Sequence, residues 1–219
     1  MKDHGTFTTL AQVETFLSSH QISSGKPTDI QPGDYFTLGS YTVYIAGIDT
    51  EFNKGDVALS THHITCIANF GNSAMNSSNT TNGGYNGATV MQNFLSNKAT
   101  ELRNICGSHL LNRKVLLSNA VTSGKASGWA WYDKYLTLMS ETQIYGGIQW
   151  ALTGYDTGEA YEKLPIFNEL SPLQLFGRVG IWLRGVYSAT SFCGAGYVGV
   201  PNIRDASSSD AAVALFTIG

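Results

Sequence analysis

Charge is what this sequence has least of. Asp, Glu, Lys and Arg make up 13% of its 219 residues, about half the ~25% of an average soluble domain. The basic residues are scattered singly and the net charge is −3. Nothing resembles the basic stripe that neutralises phosphates, so nucleic acid is not an expected partner. Cysteine is also scarce. Cys66, Cys106 and Cys193 are odd in number and far apart, which argues against a disulfide framework and for synthesis in a reducing cytoplasm. No apolar run approaches the ~18 residues of a membrane span, so no membrane insertion is expected. Met1 to Leu10 lacks a basic segment followed by an apolar core, so no signal peptide is expected there.

Catalytic signatures are missing too. The sequence has no His-Glu-x-x-His, no Cys-x-x-Cys and no calcium loop, so no metal or cofactor is expected. His62-His63-Ile64-Thr65-Cys66 is its densest set of metal-ligand types, but alternation along a strand would put His62, Ile64 and Cys66 on one face and His63 on the other. Two ligands make no site, and His4, His20 and His109 do not complete one. No Gly-x-Ser-x-Gly elbow activates a serine. Cys193, set between Phe192 and Gly194, reads as a small packed residue. Gly194-Ala195-Gly196-Tyr197-Val198-Gly199 imitates a dinucleotide fingerprint, but Pro201 and the polar residues after it forbid the helix that motif needs. Asp133, Glu141, Asp156, Glu159 and Glu162 could form a glycosidase pair only if the fold brought two together. The chain is expected not to be an enzyme.

Ser, Thr, Asn, Gly and Tyr take the place of charge. Such a surface makes hydrogen bonds without desolvating ions, which suits subunit packing and sugar or protein recognition.

Local patterns predict an α+β fold of short, mostly antiparallel strands with two longer helices. Thr9-Leu10-Ala11-Gln12 fits a capping box, and Leu10, Val13, Phe16 and Leu17 then share a helical face. Residues 1–30 read as a helical lead-in or assembly element, and 31–219 as the main domain. Gln31-Pro32-Gly33-Asp34 turns the chain into a strand Tyr35 to Leu38, and Gly39-Ser40 into its hairpin partner Tyr41 to Ile48. Asn53 to Asp56 reads as a turn, with strands at Val57 to Ser60 and Ile64 to Ala68. Gly71 to Gly87 is expected to be an ordered loop. A helix from about Ala88 to Cys106 follows, with Met91, Phe94 or Leu95, Leu102 and Ile105 inward. Val115 to Leu117 reads as a short strand and Ser123 to Gly128 as a loop. A second capping box at Ser140 to Gln143 precedes a one-turn helix, and Pro165 to Phe176 gives broken helical turns. Short strands fill Trp182 to Gly219, and the last, Ala211 to Ile218, reads as a core strand closing the sheet. Trp129, Trp131, Trp150 and Trp182 are expected mostly in the core.

The best recognition candidates are Tyr187, Ser188, Thr190, Tyr197, Asn202, Arg204 and Asp205, contact-making residue types with little apolar periodicity. Tyrosine gives rigid amphipathic contact at low entropy cost, while serine and asparagine adapt.

Several segments resemble a family of uncharacterised domains in structural proteins of phages and prophages from gut Firmicutes. They are Met75 to Tyr85, Gly107 to Leu111, Leu116 to Asn119, Trp129 to Asp133, Leu138 to Glu141, Tyr145-Gly146, Leu164 to Phe167 and Trp182 to Gly185. The resemblance spans about Pro32 to Gly219. Trp182-Leu183-Arg184 and the terminal strand are also similar to C-type-lectin-like and formylglycine-enzyme-like folds. This implies a C-type-lectin-like core in which Trp182 and Leu183 pack and Arg184 ties loops. Related domains often carry Gly-Val-Arg-Pro before the last strand, whereas Ala212-Val213-Ala214-Leu215 here lacks both Arg and Pro. No Glu-Pro-Asn set appears, so calcium is not carried over. The resemblance implies ligand-contacting loops between about Gly185 and Asp210. It points to a virion surface protein, tail-tip or capsid-associated, made in the bacterial cytoplasm, that binds a host-surface glycan or protein. A decoration or assembly subunit contacting other virion subunits is the alternative, and a glycan-processing enzyme a third. A homotrimer is the assembly such positions commonly take.

Overall fold

The computed structural model describes residues 1–53, 59–151 and 162–219. The fold is α+β, built on one large mixed sheet. Its strands are β1 (Asp3–Phe7), β2 (Tyr35–Leu38), β3 (Tyr41–Ile48), β4 (Ile64–Ser73), β7 (Thr137–Leu138), β8 (Ile181–Val186), β9 (Ser191–Ala195), β10 (Pro201–Asp205) and β11 (Asp210–Ile218). They run in the order β1-β2-β3-β4-β11-β8-β9-β10, with β7 also paired to β11. The pairs β1/β2 and β11/β8 are parallel; the others are antiparallel. A separate hairpin is formed by β5 (Arg113–Thr122) and β6 (Lys125–Lys134).

The two longer helices are α1 (Leu10–Ser19) and α2 (Thr89–Cys106), and α3 (Glu141–Tyr145) and α4 (Pro172–Phe176) are one-turn helices. All nine residues of β11 are buried, as expected of a central strand covered on both faces. Its alternate residues fall in two cores. Ala212, Ala214 and Phe216 join the side packed by α1, α2 and the β5–β6 hairpin, whereas Ala211, Val213 and Leu215 join the side of α3, α4 and the 3-10 turn Pro165–Asn168. Trp182 and Leu183 are fully buried, one on each side, and Arg184 is buried with them.

The capping signals sit where the sequence puts them. Gln12 Oε1 accepts from the Thr9 amide at 3.1 Å, and the Gln143 amide donates to Ser140 Oγ at 3.2 Å. Asp34, from the turn Gln31 to Asp34, accepts from the Lys2 amide at 2.6 Å and the Gln31 amide at 3.1 Å, which ties β1 to β2.

Several expectations change. The lead-in segment opens with a strand, β1, because its backbone finds a partner in β2 that no local pattern announces. Leu10 is exposed, while Val13, Phe16 and Leu17 are buried. On α2, Leu95 rather than Phe94 points inward, and Ala99 and Cys106 complete the face. Not every strand is short: β4, β5 and β6 have ten residues each. Ser123 to Gly128 is no loop. Ser123 and Gly124 both have positive φ, 53° and 75°, the turn that matches strand twist in a tight hairpin, and β6 starts at Lys125. Trp182 is the only tryptophan buried in the core; Trp129 and Trp131 are half-buried, and Trp150 is 46% exposed. Lys54, Gly55, Asp56 and the start of the strand expected at Val57 lie outside the described residues, as do Asp156 and Glu159.

Both histidines of the His62-His63 pair precede β4. His63 is fully buried: Nδ1 lies 2.8 Å from the Thr61 carbonyl, and Nε2 accepts from the Glu51 amide at 3.3 Å. That pairing needs the neutral ring. Burial lowers the His63 pKa below its ordinary 6.5, against the Thr61 carbonyl, Glu51 and Asp49, which raise it, while Arg113 lowers it further. The unfolded chain therefore takes up a proton first. Stability is fully present above about pH 6.5 and falls as pH drops from there toward the folded pKa, by up to about 1.4 kcal/mol per pH unit. Thermal melts between pH 8 and 5 are expected to show this loss, with a shallower one in His63→Gln.

Candidate functional site

The seven recognition candidates lie on β10 and on the two turns that bracket β9, and the structure divides them. Strand alternation puts Asn202 and Arg204, opposite Gly194 and Phe192, on the α1/α2 side of the sheet. Arg204 Nε lies 3.1 Å from Asp210 Oδ2 and its guanidinium sits over the Tyr197 ring at 5.0 Å. The Arg204–Asp210 contact is an ion pair without an aligned hydrogen bond: Arg204 Nε and Nη2 and Asp210 Oδ2 have no well-directed partner among the described residues. Burial raises the Asp210 pKa and outweighs the opposing pull of Arg204. Gly180 makes room here, since a Cβ on it would stand 2.7 Å from Asp210 Oδ1.

Asp205 points to the other side, where it accepts from Ser191 Oγ at 2.9 Å. Ser188 Oγ accepts from the Thr190 and Ser191 amides at 3.2 and 3.1 Å, which closes the β8–β9 turn. Tyr187, Ser188 and Thr190 thus form one group at this turn. Tyr197 belongs to the β9–β10 turn at the opposite end of β9, beside Val198 and Val200, all three more than half exposed.

Two distant segments hold the β8–β9 turn in place. Thr81, fully buried, donates from its hydroxyl to the Ser188 carbonyl at 2.7 Å and from its amide to the Ala189 carbonyl at 3.0 Å. Gly124, at the β5–β6 turn, comes so close that a Cβ there would lie 3.1 Å from the Ala189 nitrogen. The loop carrying Thr81 is itself anchored. Tyr85 is buried, its amide donates to Ser118 Oγ at 2.9 Å, and its hydroxyl accepts from the Leu138 amide at 2.9 Å. Burial pushes the Tyr85 phenol up to about 12, so it stays neutral. The three segments enclose an open groove of about 610 Å³.

Sequence reasoning missed Thr80 to Asn82 and Ser123-Gly124 as groove walls. Only the polar, glycine-rich character of Gly71 to Gly87 hinted at them.

Glu141 is a buried acid linked to the β8–β9 turn through Trp150. Its carboxylate accepts from the amides of Gln149, Trp150 and Ala151 at 2.9 to 3.1 Å, which fixes the turn carrying Trp150. The Trp150 ring meets Tyr187 edge-on at 6.1 Å. Tyr145, from the same helix, donates to the Gly199 carbonyl at 3.2 Å. Of the five acids weighed as a glycosidase pair, Glu141 is held by these amides and Asp133 pairs with Lys114 at 3.2 Å. Glu162 is exposed, and Asp156 and Glu159 are not described. Among the described residues no three His, Cys, Asp or Glu side chains are placed to hold a metal. Cys66, Cys106 and Cys193 are buried, and none forms a disulfide among the described residues. Burial pushes the Cys106 thiol up to about 12 and that of Cys66 well above its ordinary value, the opposite of an activated thiolate. No helix of the described residues is long and apolar enough to cross a membrane.

No family model, no curated protein and no solved structure matches this chain.

Proposed function

We propose that the protein is a virion surface protein, at a tail tip or on the capsid, that binds a host-surface receptor with the turns joining β8, β9 and β10 and performs no chemistry of its own. The observation that carries this reading is the locked β8–β9 turn. Thr81 and Gly124 fix Tyr187, Ser188 and Thr190 before any ligand arrives, and a preorganised surface spends less of its binding energy on ordering loops. The phage setting and a C-type-lectin-like relation rest on the resemblance of the motifs from Met75 to Tyr85 and Trp182 to Gly185. The test is binding of purified protein to intact gut Firmicute cells. Saturable binding is expected, weakened at least ten-fold in a folded Tyr187→Ala/Tyr197→Ala variant. Undiminished binding by that variant would contradict the proposal.

A second reading, a decoration or assembly subunit, is favoured by the β9–β10 end. β10 ends the sheet, and no strand covers its outer edge among the described residues. The adjoining turn exposes Tyr197, Val198 and Val200. An open edge beside exposed apolar side chains is a template for a neighbouring chain. Absence of binding by the native oligomer across a broad cell panel would favour this reading.

A further inference from the structure

The groove at the β8–β9 turn carries features that specify its ligand. Among the described residues its walls, the loop 80–82, Val121 with the turn 123–124, and the turn 187–189, contain no Asp, Glu, Lys, Arg or His. An ionic ligand would find no countercharge there and would lose hydration without return. The hydroxyl of Thr81 and that of Ser188 are spent on holding the turn. Three other polar groups are not. The side-chain carboxamide of Asn82, the Ser123 hydroxyl and the Tyr187 hydroxyl have no hydrogen bond to any described residue, although all three residues line the groove. The Asn82 backbone amide is spent on Thr80 Oγ1 at 3.2 Å. Together they offer donors and acceptors in both senses. Val121, Ala189 and the Tyr187 ring supply apolar wall beside them, and Trp150 stands against Tyr187 on a turn pinned by Glu141.

A ligand that matches has many neutral hydroxyls or amides, an apolar C–H face for an aromatic wall, and a size suited to an open groove of about 610 Å³. That is the chemistry of a short oligosaccharide. An extended peptide would seek an unpaired strand edge instead, and the groove is walled by turns.

We infer that this groove binds a neutral oligosaccharide, of hexose or N-acetylhexosamine units, with Asn82, Ser123 and Tyr187 as its hydrogen-bonding residues. The inference rests on the receptor-binding reading and names the class of receptor.

The test is binding of the full chain to a printed array of neutral oligosaccharides, with sialylated, phosphorylated and sulfated members alongside. Wild type is compared with Asn82→Ala and Tyr187→Phe, both matched to it in unfolding midpoint. Tyr187→Phe keeps the ring and removes only the hydroxyl. Saturable binding to neutral members is expected, several-fold weaker in each variant and at least ten-fold weaker in the double variant. Preference for charged members, neutral binding untouched by either variant, or a blank array would each overturn the inference. A blank array with cell binding intact would overturn the sugar alone and leave receptor binding standing, whereas loss of both would sink the two together.

Discussion

Arg113→Ala is expected to lose about 3–5 kcal/mol of stability, seen as a lower urea midpoint at unchanged slope. Arg113 is buried at the start of β5, with Nη1 2.6 Å from Glu51 Oε1. Its Nη2 donates to Thr137 Oγ1 at 3.0 Å and to the Leu215 carbonyl at 3.3 Å. One guanidinium thereby joins the β5–β6 hairpin to β7, to the central strand β11 and to the segment after β3. Removing it leaves the Glu51 carboxylate, only 6% exposed, without its cation, and an uncompensated buried charge is what makes such deletions costly. The double variant Arg113→Met/Glu51→Leu removes both charges, so it is expected to recover most of the loss. A single variant as stable as wild type would show that the pair is dispensable.

The second large effect is at Trp182. It is fully buried in the middle of the sheet, and its Nε1 donates to the Ser73 carbonyl at 2.8 Å. Trp182→Ala removes the largest buried side chain and leaves a cavity, for about 3–5 kcal/mol. Trp182→Phe retains most of the packing and gives up the hydrogen bond, for about 1 kcal/mol. Urea unfolding of both separates the terms: near-equal losses would mean that the bond to β4, not the packing, dominates. Because β8 leads directly into the turn at Tyr187, an alanine here is also expected to loosen the groove.

The elements that could be read from the sequence are those whose signals are local. Strands β2 and β3 follow from Pro32-Gly33, Gly39-Ser40 and the alternation after Tyr41. The run Ala211 to Ile218 reads as a core strand, although its pairing with β4 and β8 makes it central rather than the strand that closes the sheet, and the boxes at Thr9 and Ser140 mark helix starts. Strand β1 was illegible because Asp3 to Thr6 carry no apolar side chain and are mostly exposed, and the strand gains its structure from pairing with β2. The hairpin turn at Ser123-Gly124 was hidden because Lys125, Ser127 and Gly128 after it have loop composition, yet Lys125, Ala126 and Gly128 ladder against Thr122, Val121 and Ala120. Glu141 looked like a candidate acid because no local pattern shows that Gly146-Gly147 folds the chain back onto its carboxylate.

The candidate site was legible in part for the same reason. Tyrosine, serine and asparagine near the C-terminal strands were visible as residue types. That Arg204 and Asp205 face opposite sides is plain from alternation once β10 is placed, but the placement depends on pairing with β9. The groove is assembled from turns as far apart in sequence as Thr81 and Ser188, 107 residues. Only the close approach of Gly124 to Ala189 and the bonds from Thr81 bring them together.

Hydrogen–deuterium exchange of the purified protein, with and without cell-wall fragments of a strain it binds, is the most direct measurement of where recognition occurs. The account predicts added protection at 187–190 together with the groove walls 80–82 and 123–124, and little change in α1 or β1. Protection confined to α1 and β1, or to β10 alone regardless of the added fragments, would contradict receptor binding at this groove.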